Sequence, residues 1–274
     1  MKELAANDDF EGFQAGVAKY AAYLETPEGR LRLDLAFANL RDFLPQATQS
    51  LHALDLGGGT GAIAVRLARL GLHVTLLDAS LPMLDFAKRT AREAGVTERI
   101  ALKHGDAAQL ATLFDAGSFD LVLCHNILEY VEDPSAVLRR AARTLRDLSG
   151  ILSVLVRNQA GEVLKAAIQD GDLAASEHNL TAEWGHESLY GREVRLFTPE
   201  SLQAMLLESS LAVTARRGVR VMSDYLPPSV SRSDEYARIL ALESKLGRRP
   251  EFAAVARYTQ CLAHRAGPVM KDIT

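Results

Sequence analysis

The chain has 274 residues, of which 48% are hydrophobic and 24% are charged, and its formal net charge is -4. This length fits one large α/β domain better than two equal domains. An acidic total excludes a globally basic nucleic-acid-binding protein, although a local basic patch can lie within it. The only cysteines, Cys124 and Cys261, have neither a metal-ligand spacing nor a disulfide framework. We therefore expect no metal and a reducing, cytoplasmic setting.

The N-terminal stretch, residues 1–13, is polar and acidic, which is unlike a secretory signal peptide. No apolar run approaches the roughly 20 residues that a membrane-spanning helix needs. We therefore expect no membrane partner. Within residues 1–50, apolar residues recur between Leu31 and Leu40 at helical spacing, which predicts a helical N-terminal cap.

From Leu51 onward, short apolar runs alternate with longer amphipathic runs. This alternation predicts βαβ units and a doubly wound α/β fold with a parallel sheet. The predicted strands are His52–Leu56, His73–Asp78, Ile100–His104, Phe119–Cys124 and Ile151–Val156. The predicted helices between them are Gly61–Leu70, Pro82–Ala94 and Pro134–Leu145, the last with Asp133 as its N-cap.

The pattern loosens after Val156, where residues 158–197 contain several glycines, the only tryptophan and mixed charges. We interpret this stretch as an insertion or lid near the active site, within the same domain. Regular elements return with a helix that starts at Thr198-Pro199-Glu200 and runs to about Glu208. Beyond it we predict a helix at about Asp234–Lys245 and a final strand pair, Leu211–Met222 and Val255–His264, which gives the sheet an antiparallel C-terminal strand.

The strongest motif is Leu54-Asp55-Leu56-Gly57-Gly58-Gly59-Thr60-Gly61, which closes a predicted strand and opens a predicted helix. Glycines there let the chain turn tightly and bring backbone N–H groups close to a ligand. Gly57, Gly59 and Ala62 also fit the dinucleotide pattern G-x-G-x-x-G/A. The glycines alone therefore leave both a nicotinamide dinucleotide and S-adenosylmethionine (SAM) open as ligands.

Aspartates at three successive strand ends favour SAM. Asp55 lies beside the loop, where a carboxylate would oppose a pyrophosphate but can pair with the ammonium group of a methionine moiety. Asp78 ends the second strand, where an acidic residue accepts hydrogen bonds from ribose hydroxyls. Asp106 and Ala107 follow the third strand, where they can receive an adenine ring. Each aspartate alone could equally be a helix cap or a solvated loop charge, but the set of three predicts an adenosyl ligand.

These motifs resemble those of the class I SAM-dependent methyltransferases over about residues 50–157, including the segment from Phe119-Asp120-Leu121-Val122 to Tyr130. The resemblance implies a Rossmann-like sheet with SAM across the carboxyl ends of its strands. It also implies that His125 faces the methyl donor, although a partly buried structural histidine would fit the same position. The cofactor-binding residues that we assign are Arg32, Asp55, Gly57, Gly58, Gly59, Asp78, Ala79, Asp106, Ala107 and His125.

Segments outside this core resemble the bacterial tRNA carboxymethoxyuridine methyltransferases, which esterify a carboxylate on a wobble uridine. Gly29-Arg30-Leu31-Arg32 resembles a helix whose arginine reaches the SAM carboxylate. The run GVRVMSDYL, residues 218–226, and the closing stretch from Leu242 to Tyr258 resemble that family as well. The resemblance therefore implies tRNA as the methyl acceptor.

Two departures from that family leave the acceptor open. The insertion lacks a lysine-rich run, since only Arg192 and Arg195 follow Glu187, and Arg157 stands where relatives have an aromatic residue, so no role is carried over to it. The pairs Arg216-Arg217 and Arg248-Arg249 are candidate phosphate contacts, although each pair could be an ordinary solvated surface.

A carboxylate acceptor needs no general base, because it is already ionised at pH 7. Its methylation would depend on alignment of the reacting groups and on desolvation of the nucleophile. The catalytic residues that we predict are His125, Asn158, Arg220 and Tyr225. Arg220, within a predicted strand, would hold the acceptor carboxylate with a bidentate fork, while Asn158 and Tyr225 would orient the acceptor.

Three alternatives stay open at this point. The acidic total charge and the missing lysine run favour a small-molecule O- or N-methyltransferase, for which a hydroxyl acceptor would need a base, and His125 is the candidate. A non-catalytic SAM-binding module would use the same cofactor residues. An NAD-dependent oxidoreductase is disfavoured by Asp55 and by Gly105-Asp106-Ala107.

Overall fold

The computed structural model describes residues 16–48, 50–187, 189 and 191–267. Residues 1–15 of the predicted N-terminal cap therefore lie outside the described residues. Residues 16–25 are helical (α1), and α2 spans Pro27–Arg41. The two helices are separated at Thr26, which is extended and whose hydroxyl oxygen accepts from the Gly29 N–H at 3.1 Å, with Pro27 at the first helical position of α2.

The strands are β1 (His52–Leu56), β2 (His73–Asp78), β3 (Ile100–His104), β4 (Leu121–His125), β5 (Ile151–Arg157), β6 (Trp184–Glu187), β7 (Arg192–Arg195), β8 (Leu211–Val219) and β9 (Tyr258–Arg265). Seven of them form one sheet in the order β3-β2-β1-β4-β5-β9-β8. Strands β1 to β5 pair in parallel, and β9 runs antiparallel between β5 and β8. The prediction of a doubly wound, mostly parallel α/β sheet with an antiparallel C-terminal strand is therefore confirmed.

The helices after α2 are α3 (Ala62–Arg69), α4 (Leu81–Glu93), α5 (Leu110–Leu113), α6 (Pro134–Thr144), α7 (Gln159–Leu164), α8 (Leu173–Asn179), α9 (Pro199–Glu208), α10 (Tyr236–Leu246) and α11 (Pro250–Ala253). Asp133 caps α6 as predicted, since its Oδ1 accepts from the Ala136 N–H at 2.8 Å, and at the predicted start of α9 the Thr198 hydroxyl accepts from the Ser201 N–H at 3.0 Å. No helix within the described ranges combines the length and the apolar character that crossing a bilayer requires.

The final strand pair is shorter than predicted. β8 ends at Val219 rather than at Met222, because Arg220 adopts a φ of 62°, a left-handed conformation that cannot continue a strand. β9 begins at Tyr258 rather than at Val255, because α11 and the turns after it occupy the preceding residues.

The sheet has a switch point between β1 and β4. β1 is flanked by β2 on one side and by β4 on the other, so the loops that follow β1 and β4 diverge. Open α/β sheets bind ligands in the crevice that such diverging loops leave at the carboxyl ends of the strands. Gly57 follows β1 and His125 ends β4, so both lie at this crevice.

Helices cover both faces of the sheet and bury its apolar side chains. On one face α6 and α9 contribute Val137, Leu138, Leu202 and Leu206 to the core. On the other face α3 and α4 contribute Ile63, Ala64, Leu67, Leu84 and Ala87. α2 packs across the β5–β9–β8 part of the sheet in a third cluster with Leu31, Leu35, Leu155, Val219 and Tyr258. This packing brings α2 to the edge of the crevice.

The predicted insertion, residues 158–197, leaves the sheet after β5 and returns to the same place. Asn158 and Phe197 form a parallel bridge, and the Gln159 N–H donates to the Phe197 carbonyl oxygen at 2.9 Å. Between these ends lie α7, a π-helical turn at Lys165–Gln169, α8 and the antiparallel β6–β7 hairpin. That this segment moves as a lid stays a prediction.

Candidate active site

The glycine-rich loop between β1 and α3 has no room for a side chain at Gly57 or Gly58. Gly57 has a φ of 67°, which favours glycine, and a Cβ there would lie 2.6 Å from the Ile127 side chain. A Cβ on Gly58 would lie 2.7 Å from Asp55 Oδ2. The Gly59 N–H donates to the carboxylate at the end of β2 at 2.8 Å. A ligand can therefore approach this backbone closely, beside two carboxylates.

Asp55 is a buried carboxylate with unused acceptor capacity. Its side chain is 4% exposed, and Oδ2 has no hydrogen-bond partner among the described residues. Burial, and after it the charge of Asp78, raises the pKa of Asp55 to about 7. A buried carboxylate is costly in free energy unless a cation pairs with it. The ammonium group of SAM meets that need, so Asp55 fits the cofactor that the sequence predicts.

A cavity of about 160 Å³ opens beside the loop at the ends of β2 and β3, and its wall includes Asp78, Ala79, Asp106 and Ala107. Asp78 accepts from two backbone N–H groups at 2.8 Å each, which leaves carboxylate lone pairs for ribose hydroxyls. Asp106 caps the short helix that follows it by accepting from the Ala108 N–H at 2.6 Å. The structure therefore brings these four predicted cofactor residues to one cavity.

Arg32 lines a second, smaller cavity of about 40 Å³ together with Asp55 and the glycine-rich loop. It is 7% exposed, and it donates to the Tyr20 hydroxyl at 2.9 Å. Among the described residues its partners are aromatic: Tyr20, Tyr23 and Tyr258, whose ring centroids lie 5.0–5.7 Å from the guanidinium carbon. A buried arginine usually has an anionic partner. The carboxylate of SAM would provide one, as the resemblance implies.

His125 lines this smaller cavity as well as the larger one described next. Its Nε2 lies 2.8 Å from the Ser153 hydroxyl oxygen, which also accepts from Gln260 Nε2 at 3.0 Å. Burial, and after it the charge of Arg32, lowers the pKa of His125 to about 3. The imidazole is therefore neutral at pH 7 and a weak base.

The largest of the three cavities, about 330 Å³, meets the other two at Gly57 and Asn126. We call it the acceptor cavity, and we call the two smaller ones the donor side. The wall of the acceptor cavity carries six basic side chains and four acidic ones. They are Arg32, Arg157, Lys165, Arg220, Arg232, Arg257, Glu28, Glu129, Glu187 and Asp224.

Arg220 lies in the acceptor cavity, but its guanidinium is already engaged. Nε and Nη2 donate to the Asp224 carboxylate at 2.6–2.8 Å, and Nη1 donates to the Tyr23 hydroxyl at 2.9 Å. Its left-handed backbone places it just past the end of β8 rather than within a strand. The predicted free fork for an acceptor is thus occupied by a carboxylate of the chain itself.

Arg157 and Arg257 are the neighbouring cations of the same wall. Both pair with Glu162 Oε1, at 2.9 Å and 3.1 Å respectively, and Arg257 also lies 3.3 Å from Asp224. Burial alone would raise the pKa of Glu162, but the two arginines hold it below its ordinary value. The second amino group of Arg157 lies 3.7 Å from Glu187, a longer contact.

Asn158 and Tyr225 lie outside the lining of the acceptor cavity. The Asn158 amide is fully buried and donates to the carbonyl oxygens of Ala254 and Ala256 at 2.9 Å and 2.8 Å, so it fastens the insertion to the start of β9. The Tyr225 hydroxyl lies 3.4 Å from the Gly161 carbonyl oxygen. Their predicted contact with the acceptor stays a prediction, and the structure gives each side chain a local structural partner.

Four residues of the acceptor cavity have no predicted role: Asn126, Glu129, Arg257 and Tyr258. Asn126 has a φ of 52°, and its Nδ2 donates to Glu129 Oε1 at 3.0 Å. Its position directly after β4 is the signal that could have identified it, because strand carboxyl ends form such sites. Tyr258 begins the antiparallel β9 opposite Arg157, so the amino end of β9 meets the carboxyl end of β5. The strand order, and not the sequence pattern, brings Tyr258 next to Arg157.

Comparison with known proteins finds methyltransferases among the relatives of this chain. Residues 54–153 match the family described as "Methyltransferase domain". The tRNA 5-carboxymethoxyuridine methyltransferase of Escherichia coli K12 is 29% identical over 257 residues, which are 90% of this chain and 92% of that protein. A ubiquinone biosynthesis O-methyltransferase of Caulobacter vibrioides is 36% identical over 119 residues, 43% of this chain and 46% of the relative.

Solved structures share the fold. A SAM-dependent methyltransferase from Thermotoga maritima superposes with a TM-score of 0.61 at 16% identity, covering 93% of this chain and 99% of that one. The domain match runs from within β1 to within β5, a stretch that contains the glycine-rich loop and the three aspartates. The domain match, the curated relatives and the shared fold together show that the chain is a SAM-dependent methyltransferase with a class I, Rossmann-like fold.

Proposed function

We propose that this methyltransferase transfers the methyl group of SAM to a carboxylate, and specifically to the carboxylate of carboxymethoxyuridine in tRNA. The observation that carries the proposal is the arginine-rich acceptor cavity beside the donor side, in a chain whose total charge is -4. A low-dielectric wall with a surplus of positive charge attracts an anion and disfavours a cation.

In this proposal, one set of residues binds SAM and another binds the acceptor. When bound, SAM supplies an electrophilic methyl group. Asp55 and Arg32 hold its amino-acid end, and Asp78 holds its ribose. The arginines that line the acceptor cavity form what we call the arginine wall: Arg32, Arg157, Arg220, Arg232 and Arg257. This wall aligns the acceptor carboxylate and replaces its hydration, so that proximity and desolvation supply the rate enhancement.

Arg157 is the cation that we assign to the acceptor carboxylate. Its side chain is 13% exposed, against 9% for Arg220 and 7% for Arg257. Among the described residues, one of its amino groups makes only the long 3.7 Å contact with Glu187, whereas the fork of Arg220 is filled by Asp224. Arg220 then acts as a positioning residue that holds Asp224 and Tyr23 in the wall.

The protonation state of His125 favours a carboxylate over a hydroxyl acceptor. A hydroxyl must lose a proton during methylation and needs a base whose pKa lies near the operating pH. His125 has a pKa of about 3 in its buried position beside Arg32, so it accepts a proton poorly. A carboxylate has a reference pKa of about 4 and reacts without such help.

The assignment to tRNA is supported by the E. coli relative, whose similarity extends over 90% of this chain and so includes the acceptor side as well as the cofactor core. The ubiquinone relative matches 43% of the chain. The longer similarity is the reason to prefer the carboxymethoxyuridine acceptor.

The test is transfer of labelled methyl from SAM to bulk tRNA from cells that lack the wobble methyl ester, followed by nucleoside analysis. We expect label in the methyl ester of carboxymethoxyuridine and none in tRNA whose ester is already present. Absence of transfer to the unmethylated tRNA, from protein that binds SAM, would contradict the tRNA assignment.

A small carboxylated metabolite is the second candidate acceptor. Residues 158–197 contain seven Asp or Glu residues against three Lys or Arg residues, an acidic balance that favours a small acceptor over an RNA backbone. Methylation of compounds in a carboxylate-rich metabolite extract, with tRNA unlabelled, would favour this candidate while keeping the carboxylate chemistry.

A further inference from the structure

A chain of buried polar side chains runs from His125 into the core behind the acceptor cavity. Ser153 and Gln260 are fully buried, and Asn39 is buried as well. His125 Nε2 lies 2.8 Å from the Ser153 hydroxyl oxygen, and Gln260 Nε2 lies 3.0 Å from the same oxygen. The Ala36 carbonyl oxygen and the Asn39 amide complete the network around Gln260. Because buried polar groups are paired in folded proteins, this network fixes where its hydrogens lie.

The backbone of α2 sets the orientation of the Gln260 amide. A carbonyl oxygen can only accept, so the atom 3.1 Å from the Ala36 carbonyl oxygen is the amide nitrogen. The amide oxygen accepts instead from Asn39 Nδ2 at 3.0 Å. The nitrogen carries two hydrogens, and the second is directed to the Ser153 hydroxyl oxygen. Gln260 is therefore a donor to Ser153.

The hydroxyl hydrogen of Ser153 then has one available acceptor among the described residues. The Ser153 oxygen accepts from Gln260, and the other atom within hydrogen-bond distance is His125 Nε2. If Nε2 carried a hydrogen, the oxygen would accept twice and the buried hydroxyl hydrogen would have no partner, which is unfavourable. The hydroxyl therefore donates to Nε2. A neutral imidazole that accepts at Nε2 carries its hydrogen on Nδ1.

We propose that Ser153 and Gln260 hold His125 as the Nδ1–H tautomer, and that this N–H donates a hydrogen bond to the acceptor carboxylate. The part that concerns the acceptor rests on the proposed function. His125 lines both the acceptor cavity and the smaller donor-side cavity, so it lies where the two meet. Among the described residues, the hydrogen bond of its ring is the one with Ser153, which leaves Nδ1 available to a ligand. Ser153 and Gln260 are positioning residues in this account.

The surroundings of His125 keep its ring neutral, in agreement with the hydrogen-bond geometry. Burial, and after it the charge of Arg32, lowers the pKa of His125 to about 3. A protonated imidazolium would also carry a hydrogen on Nε2 and would leave the Ser153 hydroxyl hydrogen without an acceptor. The ring therefore has a single nitrogen-bound hydrogen, on Nδ1.

A donor fixed at this position favours a carboxylate over an amine as acceptor. A carboxylate has two oxygens, so one can accept from Nδ1–H while the other attacks the methyl group. The attacking oxygen forms the new O–C bond as the C–S bond breaks and its electron pair returns to sulfur, and the His125 hydrogen stays on Nδ1. A neutral amine has one lone pair, which cannot both accept from Nδ1–H and attack. The same hydrogen prevents Nδ1 from acting as a base toward a hydroxyl.

The first experiment identifies the tautomer at pH 7 by nuclear magnetic resonance of the full-length protein with nitrogen-labelled histidine. Long-range proton–nitrogen correlations show which ring nitrogen is protonated, and the His125 signals are those that His125→Asn removes. We expect the hydrogen on Nδ1 in the wild type and in the control Ser229→Ala, which changes an exposed serine. In Ser153→Ala the ratio of the Nε2–H to the Nδ1–H form should rise by about tenfold or more.

Two results of this experiment would overturn the inference. One is an Nε2–H tautomer in the wild type, and the other is a Ser153→Ala protein whose tautomer equals that of the wild type. The measurement needs no acceptor, so its outcome is independent of the proposed function.

The second experiment measures KM for an anticodon stem-loop that carries carboxymethoxyuridine, and Kd for SAM, in the same proteins. Ser153→Ala exchanges the donor that faces the acceptor for a lone pair, so KM should rise by about tenfold while Kd for SAM stays constant. Ser153→Thr keeps a hydroxyl and should keep KM near the wild-type value. An unchanged KM in a Ser153→Ala protein whose tautomer has changed would overturn the contact with the acceptor. If the wild type does not methylate the stem-loop, the tRNA assignment fails, and the resonance experiment alone decides the tautomer.

Discussion

The donor side and the acceptor cavity meet at Gly57 and Asn126 but are built in different ways. The donor side is built mainly from one glycine-rich loop and from aspartates at successive strand ends, within residues 54–107, and Arg32 and His125 join it from outside that range. The acceptor cavity is made of charged side chains from both ends of the chain, and its geometry depends on ion pairs among them. Local sequence therefore specifies the donor side, whereas only the complete fold specifies the acceptor cavity.

The largest effect is expected at Asp78, because its carboxylate serves both the loop and the ribose. Asp78→Ala should weaken SAM binding by at least about 100-fold, since it removes charge-assisted hydrogen bonds to two ligand hydroxyls. Calorimetric titration with SAM measures the effect, and Asp85→Ala, an exposed aspartate on α4, is the matched control. Unchanged affinity in Asp78→Ala would remove this residue from the donor side.

Arg32 lines both the donor side and the acceptor cavity. A ligand without the amino-acid part of SAM tests its contribution to SAM binding. Arg32→Met should weaken SAM binding by roughly 10- to 100-fold, because a buried ion pair with the SAM carboxylate is lost. Binding of 5′-methylthioadenosine, which lacks the amino-acid part, should be unchanged. The exposed Arg30→Met is the control, and equal losses for the two ligands would place Arg32 elsewhere.

A third change addresses the acceptor cavity alone. Arg157→Lys keeps the positive charge beside Glu162 but loses the planar fork, so KM for the acceptor should rise by about tenfold while the Kd for SAM stays constant. The exposed Arg139→Lys provides the control. A parallel loss of SAM affinity would show that the two sides are not separable at Arg157.

A smaller effect is expected at His125, which ends β4 between the two sides. His125→Asn should lower kcat by less than about tenfold, because a neutral imidazole with a pKa of about 3 accepts no proton from a carboxylate acceptor. Loss of a true general base costs roughly 100- to 10,000-fold. Steady-state rates from pH 6 to pH 9 distinguish the two, and a loss of the larger size would favour a hydroxyl acceptor.

The smallest effect concerns the stability of the SAM-free protein. The pKa of Asp55 is raised to about 7 in the folded state, so the stability that this group contributes is present below pH 4 and is lost as pH rises through 7. Asp55→Asn should therefore raise Tm more at pH 8 than at pH 5. Each kcal/mol gained in the free energy of unfolding should raise Tm by about 2–4 °C. Calorimetric melting without ligand checks this. A difference in Tm between the two proteins that does not change with pH would contradict a raised pKa of Asp55.

The cofactor core was predictable because its signals are local. The bounds of β1, β2 and β3 agree with the sequence prediction, and Asp55, Asp78 and Asp106 stand at strand ends that hydrophobic pattern alone identifies. The acceptor cavity was less accessible. Arg220 lines this cavity, but its pairing with Asp224 depends on a left-handed turn that the sequence pattern did not predict. Tyr258 reaches the cavity because β9 lies next to β5, a neighbour relation that only the fold creates.

The measurement that tests the central claim most directly is the chemical nature of the product. Acceptor pools of tRNA and of small metabolites are incubated with the enzyme and SAM labelled in the methyl group, and the products are then treated with mild base. A methyl ester hydrolyses and releases labelled methanol, whereas an O-methyl ether or an N-methyl group keeps its label. We predict volatile label from the tRNA fraction. Label that survives base treatment would contradict a carboxylate acceptor and with it the role that we give to the arginine wall.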